Sequence, residues 1–357
     1  MGKRKYYFCI AGMICTLFIG AYIALHVGSI KLPISTAYNI FIDSLSKSDK
    51  ESEEKVNEQQ EEKKQSESEK NYTETQKAII FELRLPRIIA AILCGAALAV
   101  SGAAYQSMFV NPLVSPSLLG VLAGAAFGAS LGMVLSQELI AAQIGATVFG
   151  IIAVMFSLFL ARFFPGNRLI MTIMGGVISS TLFTALLSVV KFVADTQNQL
   201  PAIVYWLMGG FSSVTINTLI FCSPILIICI LIVIVSAGYL NVLSLGDEEA
   251  LALGINVNLV RNTLIFVTTL CSALTVSIGG MIGWVGMMIP HISRMIVGHD
   301  NRKMVLFSAI LGAIYLLIVD TLCRSSLDTE IPIGIVTSII GIPFFIFTVI
   351  HAKNRWN

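Results

Sequence analysis

An all-α protein that crosses the lipid bilayer about ten times is the fold class this sequence predicts. Three observations carry that expectation. The 357 residues are 56% hydrophobic and only 12% charged, too little charge to wet the surface of a soluble domain of this size. The apolar residues fall in blocks, at 8–27, 88–109, 216–237 and 304–323 among others. Such blocks are about 20 residues long, and at ~1.5 Å per residue each crosses a hydrocarbon core of roughly 30 Å. The alternating pattern of an outer-membrane barrel is absent, and a helix satisfies its own backbone amides in lipid.

The crossings are expected at 8–28, 88–109, 117–135, 139–161, 169–190, 216–237, 262–279, 284–297, 304–323 and 332–351, forming a single transmembrane unit over 1–357. Lys3, Arg4 and Lys5 precede the first block, which is too long for a signal-peptide core and lacks an A-x-A-like site, so it reads as a span with its basic end in the cytoplasm. Ten crossings return the C-terminus to the same side. The loops on that side then hold Arg162, Arg168, Arg261, Arg302 and Lys303, and the tail holds Lys353 and Arg355, as the positive-inside bias requires. The eighth span is short and carries Pro290, His291 and Arg294, so it must be buried in protein or end early.

Between the first two spans, 44–77 is nearly all Glu, Lys, Gln, Ser and Asn and cannot bury enough apolar area to fold alone; it reads as a charged extracellular loop insertion, disordered or loosely helical. Seven cysteines (Cys9, Cys15, Cys94, Cys222, Cys229, Cys271, Cys323) lie in or at the ends of apolar segments without a C-x-x-C pair, as small core residues do.

Arg84-Leu85-Pro86-Arg87 is expected just outside the second span, with Pro86 pushing Leu85 out of helical geometry. Two arginines on the outer side suit interfacial snorkelling or the docking of carboxylates on an external partner equally well. The small residues between Gly95 and Ala104 make a face for close helix packing, and Asn111-Pro112-Leu113-Val114-Ser115-Pro116 breaks the chain. The loop over 240–258 contains Gly246-Asp247-Glu248-Glu249-Ala250-Leu251-Ala252-Leu253-Gly254, a short amphipathic helix closed by Gly254. Lying on the cytoplasmic face, it would present Ala250 and Leu253 to a groove on another protein.

No side-chain set supports hydrolytic or covalent chemistry, and no G-x-x-x-x-G-K-[ST] loop occurs, so no ATPase site of its own is expected. Neither cofactor, metal site nor nucleic-acid partner is called for. Intramembrane charges are few, Asp320 and Arg324 being placed to pair four residues apart, which argues against a proton-coupled secondary transporter or a channel.

With these motifs assembled, the chain resembles the FecCD family of ABC-importer permeases, over about residues 80–355. The resemblance rests on Arg84–Arg87 followed by the glycines from Gly95 to Gly102, on Asn111-Pro112-Leu113, Ser115-Pro116 and Leu119-Gly120, on Gly279-Gly280-Met281-Ile282-Gly283-Trp284-Val285-Gly286 with Pro290-His291 and Arg294, and on Ile331-Pro332-Ile333-Gly334 with Gly341 and Pro343. The 44–77 insertion and Val110, where many members carry a charge, depart from the pattern. The resemblance implies a type II ABC importer permease fold in a bacterial cell membrane. The subunit would pair with a second permease, identical or related, above two ABC ATPase subunits and below an external substrate-binding lipoprotein, all in membrane lipid. It implies docking of that lipoprotein at Arg84, Arg87 and Arg324, and ATPase coupling through Gly246, Glu248, Glu249, Ala250, Leu253 and Gly254. A cytoplasmic gate at Gly166 and Asn167 is implied too, with a translocation path along Gly175, Gly176, Ser179, Ser180 and Thr184. The implied activity is ATP-driven uptake of an iron complex, a ferric siderophore before haem or cobalamin.

Overall fold

A computed structural model of the protein describes residues 2–28, 74–136, 138–165, 168–326 and 329–353. Among these residues there is no strand. The helices are α1 (Lys3–His26), α2 (Leu85–Met108), α3 (Val121–Ser136), α4 (Leu139–Ala161), α5 (Arg168–Val193), α6 (Gln199–Leu207), α7 (Ile216–Val235), α8 (Ala237–Leu243), α9 (Asp247–Ala252), α10 (Val257–Gly279), α11 (Val285–Val297), α12 (Asn301–Ser325) and α13 (Ile333–Lys353). By length and composition α1, α2, α4, α5, α7, α10 and α12 can each cross a membrane, and α3, α11 and α13 are shorter apolar helices. These correspond one for one to the expected crossings, although α1 and α10 begin earlier than 8 and 262.

Helix α6 was not anticipated: it is short, and Pro201 sits in its first turn, where a missing N–H costs nothing. Of the charged 44–77 stretch only its end is described, and Glu74–Ala78 is helical; the rest of the insertion lies outside the described residues. The cysteines are free, with Cys94, Cys229, Cys271 and Cys323 buried but Cys15 exposed on α1.

Helix α2 is the hub, packed against α7, α10, α11 and α12. Its small face makes this possible. A Cβ on Gly95 would enter the Gly312 carbonyl of α12, and one on Gly102 would enter the Gly286 carbonyl of α11. Helices α3 and α4 close on each other in the same way at Gly128 and Gly145.

Long-range contacts sort the helix ends. Tyr6 donates to the Lys303 carbonyl at 3.1 Å and Ser107 to Asn301 at 2.7 Å, so the starts of α1 and α12 and the end of α2 share one end of the bundle, called here the near end. Arg324 donates to the Ala24 carbonyl and Arg84 to that of Leu25, which brings the end of α1, the start of α2 and the end of α12 together at the far end.

Two local departures follow from proline and glycine. Leu85 is helical rather than extended. A π-helical turn over Ile79–Arg84, with Leu85 N–H bonded to the Ile80 carbonyl, opens the backbone ahead of Pro86, so the helix runs on through the proline. At the other signature, α10 stops at Gly279 and the chain descends through Gly280–Trp284 before α11 begins at the level where Leu98 and Gly102 of α2 meet Gly286. Helix α11 therefore traverses only the near half of the bundle. Its buried Val285, Gly286, Met288, Ile289 and Pro290 lie within protein, as a short span with a proline requires.

Candidate functional site

The far end gathers the three arginines read from sequence as docking residues, but it turns them inward. Arg84, Arg87 and Arg324 are only 5%, 8% and 4% exposed. Arg87 donates through Nε to Asp320 at 2.7 Å and through Nη1 to Glu330 at 2.7 and 2.9 Å. Arg324 approaches the second Asp320 oxygen at 3.7 Å, the expected pair, while Asp320 is itself fully buried. A buried carboxylate needs charged neighbours, and here two guanidiniums share one. The arginines thus stitch α1, α2 and α12 together, and within this chain they are not a free basic surface. Glu330, missed in the sequence, is the member that reaches outward, with a side chain 34% exposed.

Two sequence signatures meet beside this cluster at the turn after α6. Gly210 N–H bonds to the Gly279 carbonyl at 2.8 Å, and Ile333 and Gly334 at the start of α13 donate to the Gly209 and Met208 carbonyls at 2.9 and 3.2 Å. Gly209 (φ +76°) and Gly280 (φ +66°) hold the left-handed backbone that lets three chain segments touch there.

At the near end α9 is the expected short helix. Gly246 (φ +121°) opens it, Asp247, Glu248 and Glu249 fill its first turn where the helix dipole favours anions, and Gly254 (φ +79°) closes it. Its orientation differs from expectation. Asp247 accepts two hydrogen bonds from Arg261 of α10, at 2.9 and 2.5 Å. That pair points the 247/250 side of the helix into the protein, so Ala250 is fully buried. The outward face is Leu251 and Leu253, 60% and 62% exposed, with Glu248 and Glu249 also open. Ala250 is therefore not on the presented surface, and Leu251, overlooked in the sequence, is.

The α5 residues divide. Gly175, Gly176 and Ser179 are buried. A Cβ on Gly175 would enter the Ser157 carbonyl and one on Gly176 the Leu118 carbonyl, while Ser179 Oγ donates to the Ala153 carbonyl at 2.7 Å. These three are packing residues against α4 and the turn before α3, not a path lining. Ser180 is half-buried and Thr184 exposed, on an open face that also carries Thr181 and Ser188. Gly166 and Asn167 lie outside the described residues.

Among the described residues, ten apolar helices, one of them the buried hub α2, and a short acidic helix at one end make a polytopic bundle of the membrane type. The chain matches the FecCD transport family over residues 14–351. It is 40% identical over 271 residues to the molybdate import system permease protein MolB of Haemophilus influenzae, covering 76% of this chain and 80% of that one. It is 34% identical over 285 residues to the hemin transport system permease protein HmuU of Yersinia pestis, covering 78% and 84%. Among solved structures, a metal-chelate type ABC transporter in an inward-facing conformation superposes with a TM-score of 0.79 at 35% identity, over 96% of this chain and 99% of that one. The chain thus belongs to the FecCD transport family. It is the membrane-spanning permease subunit of an ABC importer, with no ATPase site of its own.

Proposed function

We propose that the chain carries a ferric siderophore across the cell membrane. The observation that carries this choice of cargo is the open face of α5, where Thr181, Thr184 and Ser188 stand among apolar residues and no charged residue occurs between Arg168 and Lys191. The hydroxyls already donate along their own helix, Thr181 to Val177, Thr184 to Ser180 and Ser188 to Thr184. Such a wall slides a bulky chelate past without holding it, whereas a bare oxyanion would be guided by cations or free N–H groups. Ser180 and Thr184 keep their place on this path. The 40% identical molybdate permease favours a second reading, an oxyanion cargo. Uptake of a radiolabelled ferric siderophore and of radiolabelled molybdate, in cells with and without this gene, decides between them. Loss of iron uptake alone is expected; loss of molybdate uptake alone overturns the first reading.

The near end faces the cytoplasm on this reading, because Lys3, Arg4, Lys5, Arg162, Arg302 and Lys303 collect there. Helix α9 then offers Leu251, Leu253, Glu248 and Glu249 to the ATPase, with Gly246 and Gly254 fixing its two turns. The external lipoprotein docks at the far end. There Arg84, Arg87 and Arg324 set the shape and charge of the surface from below, and Glu330 is the residue a partner meets first.

A further inference from the structure

We propose that a cavity between α4, α5 and α10 at the near end binds one anionic phospholipid of the cytoplasmic leaflet, its phosphate held by Arg162 and Arg261. The choice of leaflet rests on the orientation given above; the site itself rests on its own geometry. The cavity has a volume of about 540 Å³, walled by Met155 and Phe159 of α4 and Ile265 and Phe266 of α10, with Arg162 and Arg261 at the helix ends nearest the bundle surface.

Arg261 is 3% exposed and gives both terminal nitrogens to Asp247, yet its Nε is buried with no hydrogen-bond partner. A buried guanidinium N–H without an acceptor is costly, so an anionic hydrogen-bond acceptor placed beside it would stabilise the site. Among the described lining residues the charged groups are Arg162, which is exposed, and Arg261, which is paired with Asp247, so the mouth of the cavity is basic. The remaining walls are mostly apolar, with Asn262, Thr172 and Thr269 as the polar exceptions, and climb about two turns of α10, from Arg261 to Thr269. The missing ligand must therefore be anionic at one end and hydrocarbon at the other. A phospholipid with a net negative headgroup meets both demands. Free phosphate meets only the first, and phosphatidylcholine brings a cation to a basic pocket.

Native mass spectrometry of the full-length chain in mild detergent tests the site, using phosphatidylglycerol, phosphatidylcholine and inorganic phosphate as probes. Wild type should retain one phosphatidylglycerol per chain, about tenfold more tightly than phosphatidylcholine. Arg162→Gln should erase that preference, and Leu158→Trp, which fills the cavity, should release both lipids; thermal midpoints check that each variant is folded. Equal retention of the two lipids by wild type, binding of phosphate without lipid, or unchanged phosphatidylglycerol retention in both folded variants overturns the proposal. Labelling of Arg162→Cys by an impermeant maleimide in intact cells would overturn the orientation alone, leaving the lipid preference to decide the site.

Discussion

Helix α9 allows a sharp separation of two roles that adjacent residues play. Leu251 and Leu253 are 60% and 62% exposed in the isolated chain. Burying a whole leucine side chain stabilises by about 1.5–3 kcal/mol, so burying what remains of these two is worth at most roughly 2–4 kcal/mol together. Replacing both with alanine should then weaken ATPase association by no more than about 30- to 700-fold, and glutamate at both positions should abolish it, since a charge would be buried without a partner. Ala250 predicts the opposite pattern. It is fully buried against its own chain, so Ala250→Glu should lower the thermal midpoint of the permease itself. The assay is co-purification of the ATPase with each variant, beside a melting curve of the permease alone in detergent. Normal co-purification by the Leu251→Glu, Leu253→Glu double variant would refute the coupling surface. An Ala250→Glu variant that melts like wild type yet loses the ATPase would refute the orientation of α9.

Three further outcomes follow from the structure. Arg87→Met strips Asp320 and Glu330 of their best partner and should cost about 3–5 kcal/mol, read as a lowered thermal midpoint; an unchanged midpoint would show that the far-end cluster does not hold the bundle. Gly102→Val forces α2 away from the Gly286 carbonyl and should destabilise by at least about 1–3 kcal/mol, so wild-type expression and melting would contradict the close crossing. Asp300 caps α12 and is held below the ordinary carboxylate range, chiefly by the side-chain amide of Asn241 and further by the Arg302 N–H. A depressed folded value means its contribution is complete above about pH 4 and is lost as pH falls through the folded value, so Asp300→Ala should cost about 1 kcal/mol at pH 7 and progressively less in acid. A cost independent of pH would assign the effect to packing.

The spanning helices were legible because lipid leaves a helix no alternative but to satisfy its own backbone, so each one writes itself as an apolar block. Close packing of α2 was legible too, since a run of small residues has one common physical use in a membrane. Orientation was not. Small residues on α5 can line a path or admit a neighbouring backbone, and only the Leu118 and Ser157 carbonyls decide that Gly175 and Gly176 do the second. The partner of Arg87 was hidden for a similar reason: Glu330 stands 243 residues away, and no local pattern ties the two. Ala250 was misplaced because the amphipathic reading of α9 weighed hydrophobicity alone. Asp247 faces Arg261 across the turn, and that ion pair fixes which side of so short a helix turns inward.

These same polar contacts decide how a push on α9 would reach the membrane. A helix of six residues has little stiffness of its own, so a force applied at Leu251 and Leu253 has to leave through its anchors. One anchor is the Asp247–Arg261 pair, which ends on α10, and α10 packs along α2, α4 and α7. The other runs back through α8, where Asn241 donates to Asp300 at 2.9 Å and accepts from the Asn301 N–H at 2.7 Å, while Asn301 accepts from Ser107 at the end of α2. Both routes converge on α2. Because α2 touches α11 and α12 backbone to backbone at Gly102 and Gly95, it has no side-chain cushion there to absorb displacement. On the coupling reading, motion of α9 therefore moves α2, α11 and α12 together, while α5, whose main packing is on α3 and α4, is less tightly tied to that block.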